Sequence, residues 1–172
     1  MKPWIKWTSA ALAVAVLAGV GLRLAASNKA KKTTLEAQQA ALQVPVRLEL
    51  SPECPQVLAD PQQVRQVVHN LVQNAQDATP PGAGPVLLRT RPSDSGRWVR
   101  LQVLDHGPGF AEHILKRAFE PYVTTKAKGT GLGLAVVKKI MDEHGGRVDL
   151  SNRVTEGRVI GAQVSLSFAV AN

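Results

Sequence analysis

One glycine-rich turn, Lys126-Ala127-Lys128-Gly129-Thr130-Gly131-Leu132-Gly133-Leu134, constrains this chain more than any other stretch. Glycine at every second position lets the backbone curl tightly around a ligand, with no Cβ in the way. Val136, Val137, Ile140 and Met141 then recur at helical spacing, and the run stops at His144-Gly145-Gly146, a helix-stop pattern. The glycines therefore sit at a helix N-terminus, where unpaired N–H groups and the positive dipole end suit an anion such as phosphate. Lys126 and Lys128 add charge just upstream. The spacing is neither the Walker pattern nor the G-x-G-x-x-G dinucleotide fingerprint. Alone, such a turn is more often structural than phosphate-binding, so the rest of the chain has to decide.

Charge narrows the partners. The formal net charge is +8, but residues 1–43 hold six Lys/Arg against one Glu, and the remaining 129 hold fifteen against twelve. Most of the excess flanks an apolar segment, and no basic stripe with interleaved aromatics appears, which argues against nucleic acid. The single Cys54 excludes an internal disulfide and a cysteine metal cluster.

Trp7 to Leu22 carries no charge, with Lys2 and Lys6 before it and Arg23 after it. With its amphipathic ends, Trp4–Ala26 is long enough to cross a bilayer core, which needs about 20 apolar residues. A cleaved signal peptide is the rival reading, but no clean A-x-A site follows. The cations Arg23, Lys29, Lys31 and Lys32 favour a cytoplasmic C-terminal side. The expectation is a single-pass anchor in the inner (cytoplasmic) membrane over residues 1–26, a linker over 27–43, and one cytoplasmic domain over 44–172.

Within that domain, Val46–Leu50 alternates as a strand. Asp60-Pro61-Gln62-Gln63 opens a helix, with Asp60 as N-cap, Pro61 at the first position and Gln63 closing a capping box. Val64, Val67, Val68, Leu71, Val72, Ala75 and Ala78 form its apolar face. Gln66, Asn70, Gln73, Asn74 and Asp77 line up on another face. A solvated face normally carries Glu, Lys and Arg, since Asn and Asp are poor helix formers. Amides there suggest a face that meets something polar. Val86–Arg91 and Trp98–Leu104 read as strands, the second running into Asp105-His106-Gly107-Pro108-Gly109-Phe110. A carboxylate at a strand end followed by two glycines is one way to build a pocket floor. Ala111–Ala118 reads as a short helix, and Arg147–Ser151 and Val159–Phe168 as closing strands.

The helix stripe, D-x-G-x-G, Phe119-Glu120-Pro121 and G-x-G-x-G stand in a fixed order. Together they resemble the N, G1, F and G2 boxes of the ATP-binding domain of bacterial sensor histidine kinases, of the nitrogen-regulation type, within the superfamily that includes gyrase and Hsp90. The resemblance covers about residues 44–170. It implies a two-layer α/β sandwich of the Bergerat type, with ATP and Mg²⁺ as ligands. Asn74 matches the Mg²⁺-binding asparagine, with Asn70 beside the phosphates and Asp77 on the same face. Asp105 matches the acceptor of the adenine amino hydrogen, with Gly107, Gly109 and Phe110 near the base. Thr124, Thr125 and Lys126 belong to a lid over the phosphates, hinged at Gly129, Thr130, Gly131, Leu132, Gly133 and Leu134. Asn70, Asn74 and Lys126 are the implied catalytic set.

Two features refine that implication. Hydrolysing members carry a Glu four residues before the metal-binding Asn. Here that position is Asn70, which cannot act as a base, so a phosphoryl donor is favoured over a hydrolase. Residues 27–43 hold no His and are too few for the phosphoacceptor hairpin of such kinases. The acceptor is then expected in trans, on a histidine-bearing dimerisation domain or a response regulator. A non-catalytic remnant of a larger kinase and an anti-sigma-type serine kinase are the alternatives.

Overall fold

The computed structural model describes residues 4–7, 44–123 and 130–171. In chain order they form β1 (Ile5–Trp7), β2 (Val46–Leu50), β3 (Val57–Ala59), α1 (Pro61–Ala78), β4 (Val86–Pro92), β5 (Trp98–Leu104), α2 (Glu112–Arg117), α3 (Gly133–Glu143), β6 (Arg147–Thr155) and β7 (Arg158–Ala169). Five strands make one mixed sheet in the order β2-β4-β5-β7-β6. β2 runs parallel to β4, and every other pair is antiparallel. The parallel pair needs a crossover, which β3 and α1 supply.

Strand alternation sorts the sheet into two faces. Val86 and Leu88 of β4, Val99, Leu101 and Val103 of β5, and Val164, Leu166 and Phe168 of β7 turn one way. They meet Val64, Val67, Val68, Leu71, Val72 and Ala75 of α1 and Val137, Ile140 and Met141 of α3 in a single core. Each such fully buried aliphatic side chain contributes roughly 1.5–3 kcal/mol of transfer free energy. The two-layer architecture expected from the sequence is the one observed, with the anticipated strands each within a few residues of their bounds. Cys54 is buried at the edge of this core.

Helix ends explain where α1 and α3 stand. The Asp60 carboxylate accepts from the backbone N–H groups of Gln62 and Gln63 at 2.8 and 3.2 Å, an N-cap as expected. The capping box is not formed. Gln63 donates instead to Glu143 at 2.8 Å, and the Asp60 N–H donates to Nε2 of His144 at 3.0 Å. His144 can accept there because its Nδ1 lies 2.8 Å from the Ile140 carbonyl and takes the donor role. The last turn of α3 closes as a Schellman motif, with Gly146 N–H on the Met141 carbonyl, Gly145 N–H on Asp142, and Gly145 at φ +61°. His144 thus ties the end of one helix to the start of the other. His144→Ala should leave the Asp60 N–H without a partner and cost about 1–3 kcal/mol in a urea titration. Gln63→Ala, whose Oε1 is already unpartnered, should stay within about 0.5 kcal/mol.

The N-terminal segment departs from expectation where it is described. Ile5–Trp7 form a strand, not the start of a membrane helix, and pair antiparallel with β3 in the register Ile5↔Ala59, Lys6↔Leu58, Trp7↔Val57. The ring of Trp4 lies 4.8 Å from that of His144. Trp7 and Val44 both pack on the one core. A helix crossing the bilayer over Trp4–Ala26 would put those two residues on opposite sides, so the pairing rules out a span that begins at Trp4. The rest of that span, residues 8–26, and the linker to residue 43 lie outside the described residues. No helix among the described residues is long and apolar enough to cross a membrane.

Candidate functional site

A cavity of about 740 Å³ opens between α1, the loop after β5 and the start of α3. Its floor is the end of the sheet, where Val103, Ala162 and Val164 surround Asp105. Asp105 is 8% exposed, and two backbone amides fix it. Its Oδ1 accepts from Gly107 N–H at 2.9 Å and from Ala162 N–H at 2.8 Å. Oδ2 accepts from no described residue, so Asp105 offers the cavity one oriented acceptor.

The loop that follows is clamped by neighbours that sequence reasoning did not single out. Asn152 grips the Phe110 backbone on both sides, accepting from its N–H at 2.7 Å and donating to its carbonyl at 2.8 Å. Arg153 donates to the Asp105 carbonyl at 2.5 Å. Thr79, buried at the end of α1, accepts from the His106 N–H at 3.2 Å and donates to Ala75 at 2.8 Å. Gly161 lets β7 approach: a Cβ there would stand 2.0 Å from the Asp105 carbonyl oxygen. The available signal was a glycine inside a strand pattern, which marks a bulge or a close backbone approach.

The amide face of α1 supplies one wall. Asn70, Gln73, Asn74 and Asp77 line the cavity together with His69, whereas Gln66 does not. Gln73 donates to Asp77 at 2.8 Å. Thr130, Gly131, Gly133 and Leu134 close the opposite side, and a Cβ on Gly133 would touch the Asn74 amide nitrogen at 3.4 Å. α3 begins at Gly133, and no side chain among the described residues caps its first N–H groups, which lie beside that amide. Gly131 sits at φ +66° against the backbone of Tyr122, whose N–H donates to the Gly131 carbonyl at 3.0 Å.

Of the residues expected at a ligand, Asn70, Asn74, Asp77, Asp105, Gly109, Phe110, Thr130, Gly131, Gly133 and Leu134 share this cavity. Gly107 and Leu132 are not in its lining. Gly107 is glycine for another reason: a Cβ would meet the Ala78 carbonyl at 2.6 Å, so it seats the loop on α1. Gly109, at φ +78°, is pressed in the same way against Val159 and Asn152. Thr124, Thr125, Lys126 and Gly129 lie outside the described residues. Phe119-Glu120-Pro121 is not in the lining either. Glu120 pairs with Arg117 at 2.7 Å, and the hydrogen bond from that guanidinium holds its carboxyl below the usual carboxylate range.

The family model for histidine kinase-, DNA gyrase B- and HSP90-like ATPases matches residues 59–171. The chain belongs to this family. Among curated relatives it is 40% identical over 115 residues to the sensor histidine kinase ZraS of Escherichia coli K12, covering 67% of this chain and 24% of that one. It is 41% identical over 109 residues to the nitrogen regulation protein NtrY of Azorhizobium caulinodans, covering 61% and 14%. It is 35% identical over 109 residues to the sensory histidine kinase/phosphatase NtrB of Escherichia coli O157:H7, covering 59% and 31%. The chain thus spans a third or less of the length of these relatives. Among solved structures, the catalytic domain of histidine kinase ThkA superposes with a TM-score of 0.71 at 28% identity, over 96% of this chain and 95% of that one. Full-length ShkA in complex with AMPPNP gives 0.63 at 32% identity, over 93% and 36%. As an ATPase-family fold, the α/β arrangement with its mixed sheet matches histidine kinase ATP-binding domains.

Proposed function

We propose that this chain supplies the ATP-binding, phosphoryl-donating module of a two-component sensor histidine kinase, and that it passes the γ-phosphoryl group to a histidine on a separate chain. One observation carries the reading. A single cavity joins an oriented carboxylate in an apolar floor to a wall of neutral amides facing a helix N-terminus. The free oxygen of Asp105 suits an exocyclic amino group of a purine, and Val103, Ala162 and Val164 suit its ring. The first N–H groups of α3 suit phosphate. ShkA, 32% identical, was solved in complex with AMPPNP, which supports a nucleotide as the ligand.

Mg²⁺ fits this donor set only in company with its nucleotide. Among the described residues no group of three His, Cys, Asp or Glu side chains could hold a metal alone. Asn74 would give a hard cation one neutral oxygen and leave its other positions to phosphate and water; the ion supplies charge neutralisation on the phosphates. Asn70, four residues earlier, accepts no proton, so water at that position has no base and transfer to a positioned side chain is favoured over hydrolysis.

Membrane attachment through the apolar run after Trp7 belongs to the same proposal, with the domain on the cytoplasmic face. Because Trp7 and Val44 sit on one core, the attachment proposed is from a single side of the inner membrane. The partner proposed is a histidine-bearing dimerisation domain or a response regulator, not nucleic acid.

Mixing the chain with γ-labelled ATP, Mg²⁺ and a separately produced dimerisation hairpin tests the reading. Acid-labile label on the hairpin is expected, and Asn74→Ala should reduce it by on the order of 100-fold or more, the scale of losing electrostatic positioning at a transferring phosphoryl group. Nucleotide binding without transfer would leave a binding module only, and acid-stable label would point to a serine kinase.

A further inference from the structure

The face of the sheet turned away from the helices carries a net positive charge. Arg47, Arg89, Arg91, Arg100 and Arg147 point outward there against Glu49 and Asp149, and every one of these cations is arginine. Arg47 and Arg89 lie 3.8 and 3.7 Å from the Glu49 carboxylate. Arg91 and Arg100 are exposed and make no ion pair among the described residues. They are also direct cross-strand partners in the β4–β5 ladder. Like charges facing each other across a ladder destabilise a sheet, so this pair opposes folding.

The register extends the pair into a row. Arg100 faces Ser167 on β7, and Ser167 faces Arg147 on β6. Strands stand about 4.8 Å apart, so the row Arg91–Arg100–Ser167–Arg147 is about 14 Å long. The Arg147 guanidinium lies 4.9 Å from the ring centre of Trp98, and Trp98, Arg100, Arg147, Ser165 and Ser167 line a shallow groove of about 290 Å³.

We propose that this row is a docking surface for an acidic helix of a protein partner. Guanidinium forks match carboxylates in bidentate geometry better than any other side chain does. A helix with carboxylates at i, i+4 and i+11 presents them on one face at about 0, 6 and 16 Å, close to the arginine spacing along the row. Two observations favour this occupant over a polyphosphate. The neighbouring row, Glu49–Arg89–Gln102–Ser165–Asp149, ends in a carboxylate on each side, which repels a broad anionic surface. The single aromatic, Trp98, is already covered by Arg147 and offers no face for stacking a base. The surface lies across the sheet from the cavity, so it stands independently of the proposed function.

Fluorescence anisotropy on the full chain tests this with a labelled, alanine-rich helical peptide carrying glutamates at i, i+4 and i+11. Binding should weaken by roughly tenfold or more in Arg91→Ser/Arg100→Ser. The same variant should melt no lower than the wild type, because the like-charge pair is relieved. A peptide that does not bind overturns the proposal, as does one bound equally by the double variant. So does tighter binding, through the same arginines, of a single-stranded oligonucleotide or of phosphatidylglycerol vesicles.

Discussion

Asp105→Asn is expected to abolish the preference for adenine while leaving the domain folded. Oδ1 of Asp105 accepts from two buried backbone amides, Gly107 and Ala162. Asparagine can present its carbonyl oxygen to both, so neither N–H is orphaned. The other terminal atom then changes from an oxygen to an NH₂ group, and the cavity floor meets an amino group of the base with a second donor. Losing a hydrogen bond to a charged acceptor, and burying two donors against each other, should cost about 2–4 kcal/mol, or roughly 30- to 1,000-fold in Kd for ATP. A purine with a carbonyl at that position should lose much less. Asp105→Ala is the less informative variant, because it orphans both amides at about 1–3 kcal/mol each and confounds binding with stability. Competition of a fluorescent ATP analogue by ATP and by GTP, run beside a urea titration, separates the two effects. An asparagine variant with unchanged ATP affinity would remove Asp105 from the binding role.

The elements were largely legible in the sequence because local signals agreed with packing. The apolar stripe of α1, its Asp60 cap and the His-Gly-Gly stop of α3 each describe one helix from within. What was not legible depends on neighbours distant in sequence. Gln63 has the spacing of a capping box, but His144, 84 residues from Asp60, reaches that N–H first. Three-residue strands such as β1 and β3 carry too few alternations to read; β1 exists through its pairing with β3, and β3 is tied in turn to the chain's end by the Val57–Val170 bridge. The same limit applies to the cavity. The amides of α1 stood out because asparagine is costly on a helix face. Gly107 and Gly109 also stood out, and the structure adds a packing reason for each: their missing Cβ atoms make room for Ala78 and for Asn152 and Val159. Asn152 and Arg153, which hold the loop in place, look like ordinary polar residues of a strand.

Gly161→Ala should be strongly destabilising, although it adds only one methyl group. The residue sits on β7 opposite Arg153, where the register shifts between Arg153 and Val154. Its φ of +149° already disfavours a side chain. An added Cβ would stand 2.0 Å from the Asp105 carbonyl oxygen and 2.8 Å from its carbon, and backbone cannot rotate away as a side-chain tip can. β7 would have to withdraw from Asp105. That breaks the bond from Ala162 N–H to Oδ1 and the one from Asp105 N–H to the Ala162 carbonyl, at 2.8 and 3.0 Å. Overpacking at about 1–3 kcal/mol, together with lost buried hydrogen bonds at about 1 kcal/mol or more each, predicts a loss of roughly 3–5 kcal/mol. Against a total stability of about 5–15 kcal/mol, that is a large share. Gly157→Ala is the control, since it has a positive φ of +75° but nothing within 4 Å of the added Cβ. It should cost only the left-handed backbone penalty, about 1–2 kcal/mol. If the loss at Gly161 comes from the clash with Asp105, nucleotide affinity should fall in Gly161→Ala and hold in Gly157→Ala, measured where both remain folded. Equal affinities in the two variants would mean that β7 does not position the Asp105 carboxylate.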